Sequence, residues 1–247
     1  MRIPTIIGLA GPAGCGKDTV ANLLATHFHF TTLAFADRLR FEVCQAFSVS
    51  LSTLTHRPTK EEAIPELALE RCLDNNFTSA MLRTVFKTFE GSVEEFMEQP
   101  RSPRQIMQWW GTEYKRSQLP NYWTQILVQR VNHQQLLYQL RHVITDVRFE
   151  NEAQAVRNTG GVVWQVKRPG IEATGTHTSD VDGSQFAPAA IINNNQDIRH
   201  LQGVVVGAWL MLETGMSAQE VCDMGRAHTE LANTQWHVSN KALQVQA

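Results

Sequence analysis

The segment that most constrains this fold runs from the apolar stretch Thr5-Ile6-Ile7-Gly8-Leu9-Ala10, through Gly11-Pro12-Ala13-Gly14-Cys15-Gly16-Lys17-Asp18, into Thr19-Val20-Ala21-Asn22-Leu23-Leu24. It reads strand, glycine-rich turn, helix start. That is the context in which G-x-x-x-x-G-K signifies a phosphate-binding loop. Glycines let the backbone turn with its N–H groups inward, and the helix N-terminus adds partial positive charge. Lys17 is then placed to reach the β- and γ-phosphates of a nucleotide. Gly11, Ala13, Gly14, Cys15, Gly16, Lys17, Asp18 and Thr19 are the candidate nucleotide contacts. Asp18 stands where Ser or Thr is usual. A carboxylate is a good ligand for a hard cation such as Mg²⁺; the plainer alternative is a first-turn aspartate that stabilises the helix N-terminus.

Downstream, the hydrophobic pattern alternates between strand and helix. The first helix is expected to end near Phe28. Thr31-Thr32-Leu33-Ala34-Phe35-Ala36 reads as a short buried strand, and a helix follows from Asp37, its expected N-cap, to about Phe47. Residues 50–103 carry charge clusters and prolines, with one helix expected around 77–89; insertions of this kind form substrate-binding or lid segments. Pro103 opens a helical stretch through Trp110 that is expected to break at Gly111 and Pro120, and a further helix covers 122–140. The strand His142-Val143-Ile144-Thr145-Asp146 ends in a carboxylate and leads to a helix from near Glu150. Val162–Lys167 is a strand, 169–187 a polar loop, 189–193 a last strand, and 198–214 a closing helix. The alternation predicts an α/β fold with a parallel central sheet and helices on both faces. We expect one domain over 1–214, with a mostly helical insertion at about 50–103, and a polar C-terminal extension over 215–247.

Composition narrows the function classes. With 247 residues, 43% apolar and 19% charged, the chain has the make-up of a soluble globular protein. Its 22 basic and 24 acidic residues give a formal charge of −2, which supplies no global case for nucleic-acid binding. Cysteines 15, 44, 72 and 222 form no C-x-x-C pair and read as reduced thiols. Met1-Arg2-Ile3-Pro4 runs straight into the first strand, leaving no room for a signal peptide, and no apolar run approaches the ~20 residues that span a bilayer. The expected location is the cytoplasm.

In open parallel sheets, ligands sit at the carboxyl ends of the strands. Asp146 ends a strand, where a second Mg²⁺-bearing carboxylate belongs in phosphate-loop proteins. Arg148, two residues on, faces the same side if the strand continues, and could neutralise a transferring phosphoryl group; the alternative is an ion pair with Glu150 or Glu152. Arg168 closes a strand before Pro169. Arg104 and Gln108 share a helix face at i, i+4. Trp109, Trp110 and Trp123 lie among arginines, in a pattern suited to stacking and bidentate phosphate recognition or, for at least one of the first two tryptophans, to ordinary core. His177 and Ser179 lie in a polar loop, and no nucleophile elbow surrounds Ser179.

Taken in order, these segments resemble the bacteriophage-type deoxynucleoside monophosphate kinases, a branch of the adenylate-kinase-like phosphate-loop kinases. Gly16-Lys17-Asp18-Thr19 is similar to the family's loop, with its Asp in place of Ser or Thr. Phe35-Ala36-Asp37-Arg38-Leu39-Arg40 resembles its second-strand motif, with Arg40 where lysine is usual. Arg104-Gln105-Ile106-Met107-Gln108, Gly111-Thr112-Glu113 and Trp123 resemble its substrate-side helix and the segment after it. Asp146-Val147-Arg148-Phe149-Glu150-Asn151-Glu152 and Val166-Lys167-Arg168-Pro169-Gly170 resemble its strand-end motifs, and Ile191-Ile192-Asn193 its final strand. His177-Thr178-Ser179-Asp180 resembles an H-x-S/T-E motif with Asp for Glu, and Asn194-Asn195-Gln196 lacks the glycine usual after the last strand.

The resemblance implies a three-layer P-loop kinase fold and transfer of the γ-phosphoryl group of ATP to a deoxynucleoside 5′-monophosphate, with Mg²⁺. It implies catalytic roles for Lys17, Asp146, Arg148 and Arg168, and metal ligation by Asp18 or Asp146. Substrate binding would fall to Asp37, Arg40, Arg104, Gln108, Trp123, His177 and Ser179. It implies a small-molecule nucleotide partner and suggests a homodimer; the hydropathy and the charge of −2 lead us to expect neither membrane nor nucleic acid. Water must be kept from such a site, so a closing segment is expected in 50–103 or 169–187. Two alternatives stay open: a related kinase acting on modified pyrimidines in phage DNA, and a nucleotide-hydrolysing switch.

Overall fold

The computed structural model describes residues 4–56, 58–172, 184–217, 219, 220 and 223. The chain divides into two compact units, one formed by Met1–Thr32 with Leu140–Ala247 and the other by Leu33–Gln139.

The first unit is built on a five-stranded sheet in the order β2-β3-β1-β4-β5, comprising β1 (Ile6–Ala10), β2 (Phe30–Leu33), β3 (Arg141–Val147), β4 (Val162–Lys167) and β5 (Ala190–Asn193). The sheet is parallel, as expected. Its apolar runs are buried on both faces, as a parallel sheet requires. On one face Ile7, Leu9, Val143, Trp164, Val166 and Ile192 meet α1 (Lys17–Phe28) and α9 (Ile198–Thr214). α1 brings Val20, Ala21 and Leu24 to that face, and α9 brings Leu201, Val205 and Trp209, each at helical spacing. On the other face α8 (Glu150–Asn158) packs Val156 against Gly8. A Cβ on Gly8 would lie 2.9 Å from Val147 Cγ2 and 3.1 Å from Val156 Cγ2, so glycine lets the helix lie close to the strand. The result is three layers, helix, sheet and helix.

β1 reaches Ala10 beside Val147 of β3 and Gln165 of β4, and Lys167 of β4 pairs with Asn193 of β5. The residues that follow these strands, Gly11, Arg148, Arg168 and Asn194, therefore leave the sheet along one edge. That edge is where open parallel sheets carry ligands.

The second unit is helical: α2 (Ala36–Phe47), α3 (Leu51–Thr55), α4 (Asn75–Thr84), α5 (Val93–Glu98), α6 (Pro103–Gln108), a π-helical stretch Trp109–Arg116, and α7 (Tyr122–Tyr138). Side-chain caps start several of these helices: Ser50 for α3, Asp74 for α4, Ser92 with Glu95 as a capping box for α5, and Ser102 before Pro103 for α6. The insertion expected over 50–103 lies inside this unit.

The strand expected over 31–36 covers Phe30–Leu33 instead, and residues 50–103, expected to hold one helix, hold α3, α4 and α5. Two further local expectations also differ. The helix starting at Pro103 does not break at Gly111 but continues as a π-helix through it. The wider turn buries both Trp109 and Trp110, and the Gly111 carbonyl accepts the indole N–H of Trp123 at 3.1 Å. Asp37 is not the N-cap of α2; that position is Phe35. Its carboxylate nevertheless accepts the backbone N–H of Ala34 at 3.0 Å, holding the turn from inside the first helical residues.

A buried carboxylate organises the helical unit. Glu42 on α2 is 8% exposed. It accepts the indole N–H of Trp110 (3.0 Å), the hydroxyl of Tyr122 (2.6 Å) and Arg38 Nε (2.9 Å). Burial, then the bond to Glu42, pushes the Tyr122 phenol up to about 12. Replacing Glu42 with leucine strands the buried indole of Trp110 and the half-buried hydroxyl of Tyr122, and is expected to lower the unfolding free energy by roughly 2–4 kcal/mol. Glu42→Gln, which keeps an acceptor oxygen, is expected to cost less. Urea denaturation of the three proteins provides the check.

Candidate functional site

The loop after β1 is shaped by three glycines with different constraints. Gly11 has φ +142, and a Cβ there would lie 2.5 Å from the Val166 carbonyl and 2.9 Å from Cys15 Sγ. Gly14, at φ +80, faces open space. Gly16, at φ +108, is the N-cap of α1 and offers no side-chain cap. The first N–H groups of α1 are those that a helix cannot bond internally. The loop thus ends on an uncapped twelve-residue helix whose N-terminus favours an anion.

Lys17 folds back over this loop, its amino group donating to the carbonyls of Gly11 and Pro12, both at 2.8 Å. Burial lowers its pKa from the usual lysine value. Cys15, Asp18 and Asp146 oppose that shift, while Arg148 adds to it. Three residues singled out in the sequence, Asp18, Asp146 and Arg148, therefore sit within electrostatic reach of a fourth. Burial pushes the thiol of Cys15, under the loop, up from its ordinary value.

The turn after β3 is fixed by Glu152, 2% exposed. Its carboxylate accepts the backbone N–H groups of Arg148 (2.7 Å) and Phe149 (3.2 Å). Glu150 instead pairs with Arg157. Among the described residues the Arg148 guanidinium has no ion pair, so the pairing with Glu150 or Glu152 weighed from the sequence does not form. Arg168 leaves β4 exposed, ahead of a turn in which its carbonyl accepts the N–H of Ile171. The charges of Asp18, Asp146 and Arg148 thus bear on Lys17, and Arg168 stands at the end of β4, the strand beside β1.

The other sequence candidates fall in the helical unit. Asp37 pairs with Arg40 at 3.2 Å and with Arg130 at 3.8 Å. Arg104 pairs with Glu61, and Gln108 lies one turn on along α6, half-buried. Trp123 is 4% exposed, its indole turned to Gly111. Within this unit Arg38, Glu42, Asp74, Trp110, Lys115 and Tyr122 line a cleft of about 640 Å³. Lys115 stands 4.0 Å from Glu42 and over the rings of Trp110, Tyr114 and Tyr122. His177 and Ser179 lie outside the described residues.

Sequence reasoning missed Glu42, Glu152 and Asn194. Glu152 had a local signal, an acid three residues into a helix, the capping-box spacing. Glu42 offered only an i, i+4 relation to Arg38, and Asn194 meets its partner Cys15 across 179 residues. No group of three or more His, Cys, Asp or Glu residues placed to hold a metal occurs among the described residues. Nor is any described helix long and apolar enough to cross a membrane.

A sequence model of one family, deoxynucleotide monophosphate kinase, matches residues 66–205. The chain is also similar to a provisionally named deoxynucleotide monophosphate kinase of Acanthamoeba polyphaga mimivirus, 26% identical over 211 residues that cover 81% of this chain and 94% of the relative.

The loop geometry makes a ranked prediction. Gly14→Ala meets no atom and is expected to cost about 1–2 kcal/mol for its left-handed backbone alone. Gly11→Ala must displace the Val166 backbone and is expected to cost clearly more. Thermal unfolding of both variants checks the order.

Proposed function

The chain belongs to the deoxynucleotide monophosphate kinase family, and from that premise we propose that it transfers the γ-phosphoryl group of ATP to a deoxynucleoside 5′-monophosphate, giving ADP and the deoxynucleoside diphosphate. One observation supports this reading above the others. Lys17 lies on a glycine-rich loop at an uncapped helix N-terminus, with Asp18, Asp146 and Arg148 in electrostatic reach.

In this reading the donor phosphates take the place of the Gly11 and Pro12 carbonyls as the partners of Lys17. The loop N–H groups and the helix N-terminus bind the remaining phosphate charge. Arg148, positioned by Glu152, and Arg168 stabilise charge on the transferring group. The acceptor is already an anionic oxygen, so the site needs alignment and electrostatics rather than a strong general base. In the helical unit the reading assigns acceptor binding to Asp37, Arg40, Arg104, Gln108 and Trp123, and to His177 and Ser179 of the loop.

Asp18 and Asp146 fit Mg²⁺. Two carboxylates, with no cluster of three or more His, Cys, Asp or Glu among the described residues, suit a cation that keeps waters and takes its other ligands from phosphates. When bound, it would neutralise charge on the phosphate oxygens.

The test incubates the protein with ATP, Mg²⁺ and each deoxy- or ribonucleoside monophosphate and separates the products. A deoxynucleoside diphosphate is expected, and Lys17→Ala is expected to lower its rate by about 10²-fold or more. Phosphorylation of hydroxymethylated DNA without any diphosphate, or ATP loss independent of an acceptor, would replace the reading. EDTA is expected to stop the reaction. Asp146→Asn is expected to raise the Mg²⁺ concentration giving half-maximal rate, measured by titrating the metal at fixed ATP.

A further inference from the structure

Asn194 is the first residue after β5, half-buried, and 179 residues along the chain from Cys15 of the glycine-rich loop. Its side-chain amide donates to the Cys15 carbonyl at 2.9 Å. Its backbone N–H donates to the Lys167 carbonyl at 2.7 Å. A Cβ on Gly16 would lie 2.5 Å from Asn194 Nδ2. One residue on the sheet's edge strand thus holds the glycine-rich loop and the end of β4, one residue before Arg168.

The contact acts on a single peptide plane. The Cys15 carbonyl belongs to the same trans peptide unit as the Gly16 N–H, and the two point to opposite sides of it. Drawing the carbonyl to Asn194 turns the Gly16 N–H away from Asn194 and denies that plane its rotation. Gly16 completes the interlock from the other side, because any larger residue would press on the amide that makes the bond.

We infer that Asn194 is a positioning residue for the donor nucleotide: it fixes the Cys15–Gly16 peptide so that the loop presents its N–H groups to the phosphates. This rests on the donor-site reading given above. The role needs a donor at this position. Aspartate has the same shape but accepts only, and would set a negative oxygen against the Cys15 carbonyl and near bound phosphates.

The experiment measures ATP binding by calorimetry, and kcat and KM for ATP and for the deoxynucleoside monophosphate, in wild type, Asn194→Ala and Asn194→Asp. Wild-type binding and turnover test the donor-site reading separately. If wild type binds no ATP, that reading falls and the inference falls with it. With wild type active, both variants are expected to weaken ATP binding and raise its KM by about tenfold, Asp more than Ala, with KM for the acceptor within about twofold of wild type. A loss that affects both substrates equally and follows the fall in melting temperature would mean that Asn194 only stabilises the fold. Unchanged ATP binding would overturn the inference outright.

Should Asn194→Asp fail to fold, Asn194→Ser takes its place, and a double mutant gives an independent reading. Gly16→Ala is expected to weaken ATP binding more in the wild-type background than in Asn194→Ala, where the opposing amide is gone. Strict additivity of the two changes would overturn the interlock.

Discussion

The tightest constraint in the sheet unit is the passage of Gly11 against the Val166 carbonyl. Backbone meets backbone there, and a Cβ would approach to 2.5 Å. Because β1 and β4 pair in parallel up to Ala10 and Gln165, the chain must turn within van der Waals reach of its neighbour. Cys15 fills the space beneath the turn, and the carbonyls of Gly11 and Pro12 are left facing Lys17. The loop's shape thus follows from strand pairing, and its chemistry follows from that shape.

Lys17 shows what the arrangement costs. Burial favours the neutral amine and lowers its pKa, while Asp18 and Asp146 hold the charge in place. The folded protein binds this proton less tightly than the unfolded chain. Between the lowered pKa and the ordinary lysine value, stability therefore rises with pH from this group. Two carbonyl contacts offset part of the burial. An ammonium held by neutral dipoles and two nearby carboxylates is poised for stronger anionic partners, which bound phosphates would supply.

Much of the sheet unit was legible in the sequence because its signals are local. The strand at Ile6–Ala10, the glycine pattern, the strand ending near Asp146 and the helix closing at Thr214 are all short-range patterns of hydrophobicity and turn chemistry. The break expected at Gly111 failed for a non-local reason. Glycine weakens a helix by its own propensity, but the bond from Trp123 and the burial of two tryptophans outweigh that preference. Asn194 and Glu42 were invisible for the same reason. Each is an ordinary polar residue until a partner far along the chain, Cys15 or Trp110, arrives beside it. The candidates in the helical unit came from motif order and, for Arg104 and Gln108, from helical spacing, and neither shows that Arg104 already faces Glu61 or that Trp123 faces inward.

The candidate phosphate-binding arginines differ in how they are paired, which bears on where anions would bind most strongly. In the helical unit Arg38, Arg40 and Arg104 are matched, with Glu42, Asp37 and Glu61 respectively. An incoming phosphate there must displace a carboxylate, so the gain is a difference between two ion pairs. In the sheet unit Arg148 and Arg168 have no ion pair among the described residues, and Lys17 holds only carbonyls and a distant thiol by hydrogen bonds. An anion arriving at that edge breaks no ion pair of Arg148 or Arg168, and the nearby Asp18 and Asp146 carboxylates offset part of the attraction. On the proposed reading, the strand ends would then hold phosphate more tightly than the helical unit, where an anion would have to take the place of a carboxylate.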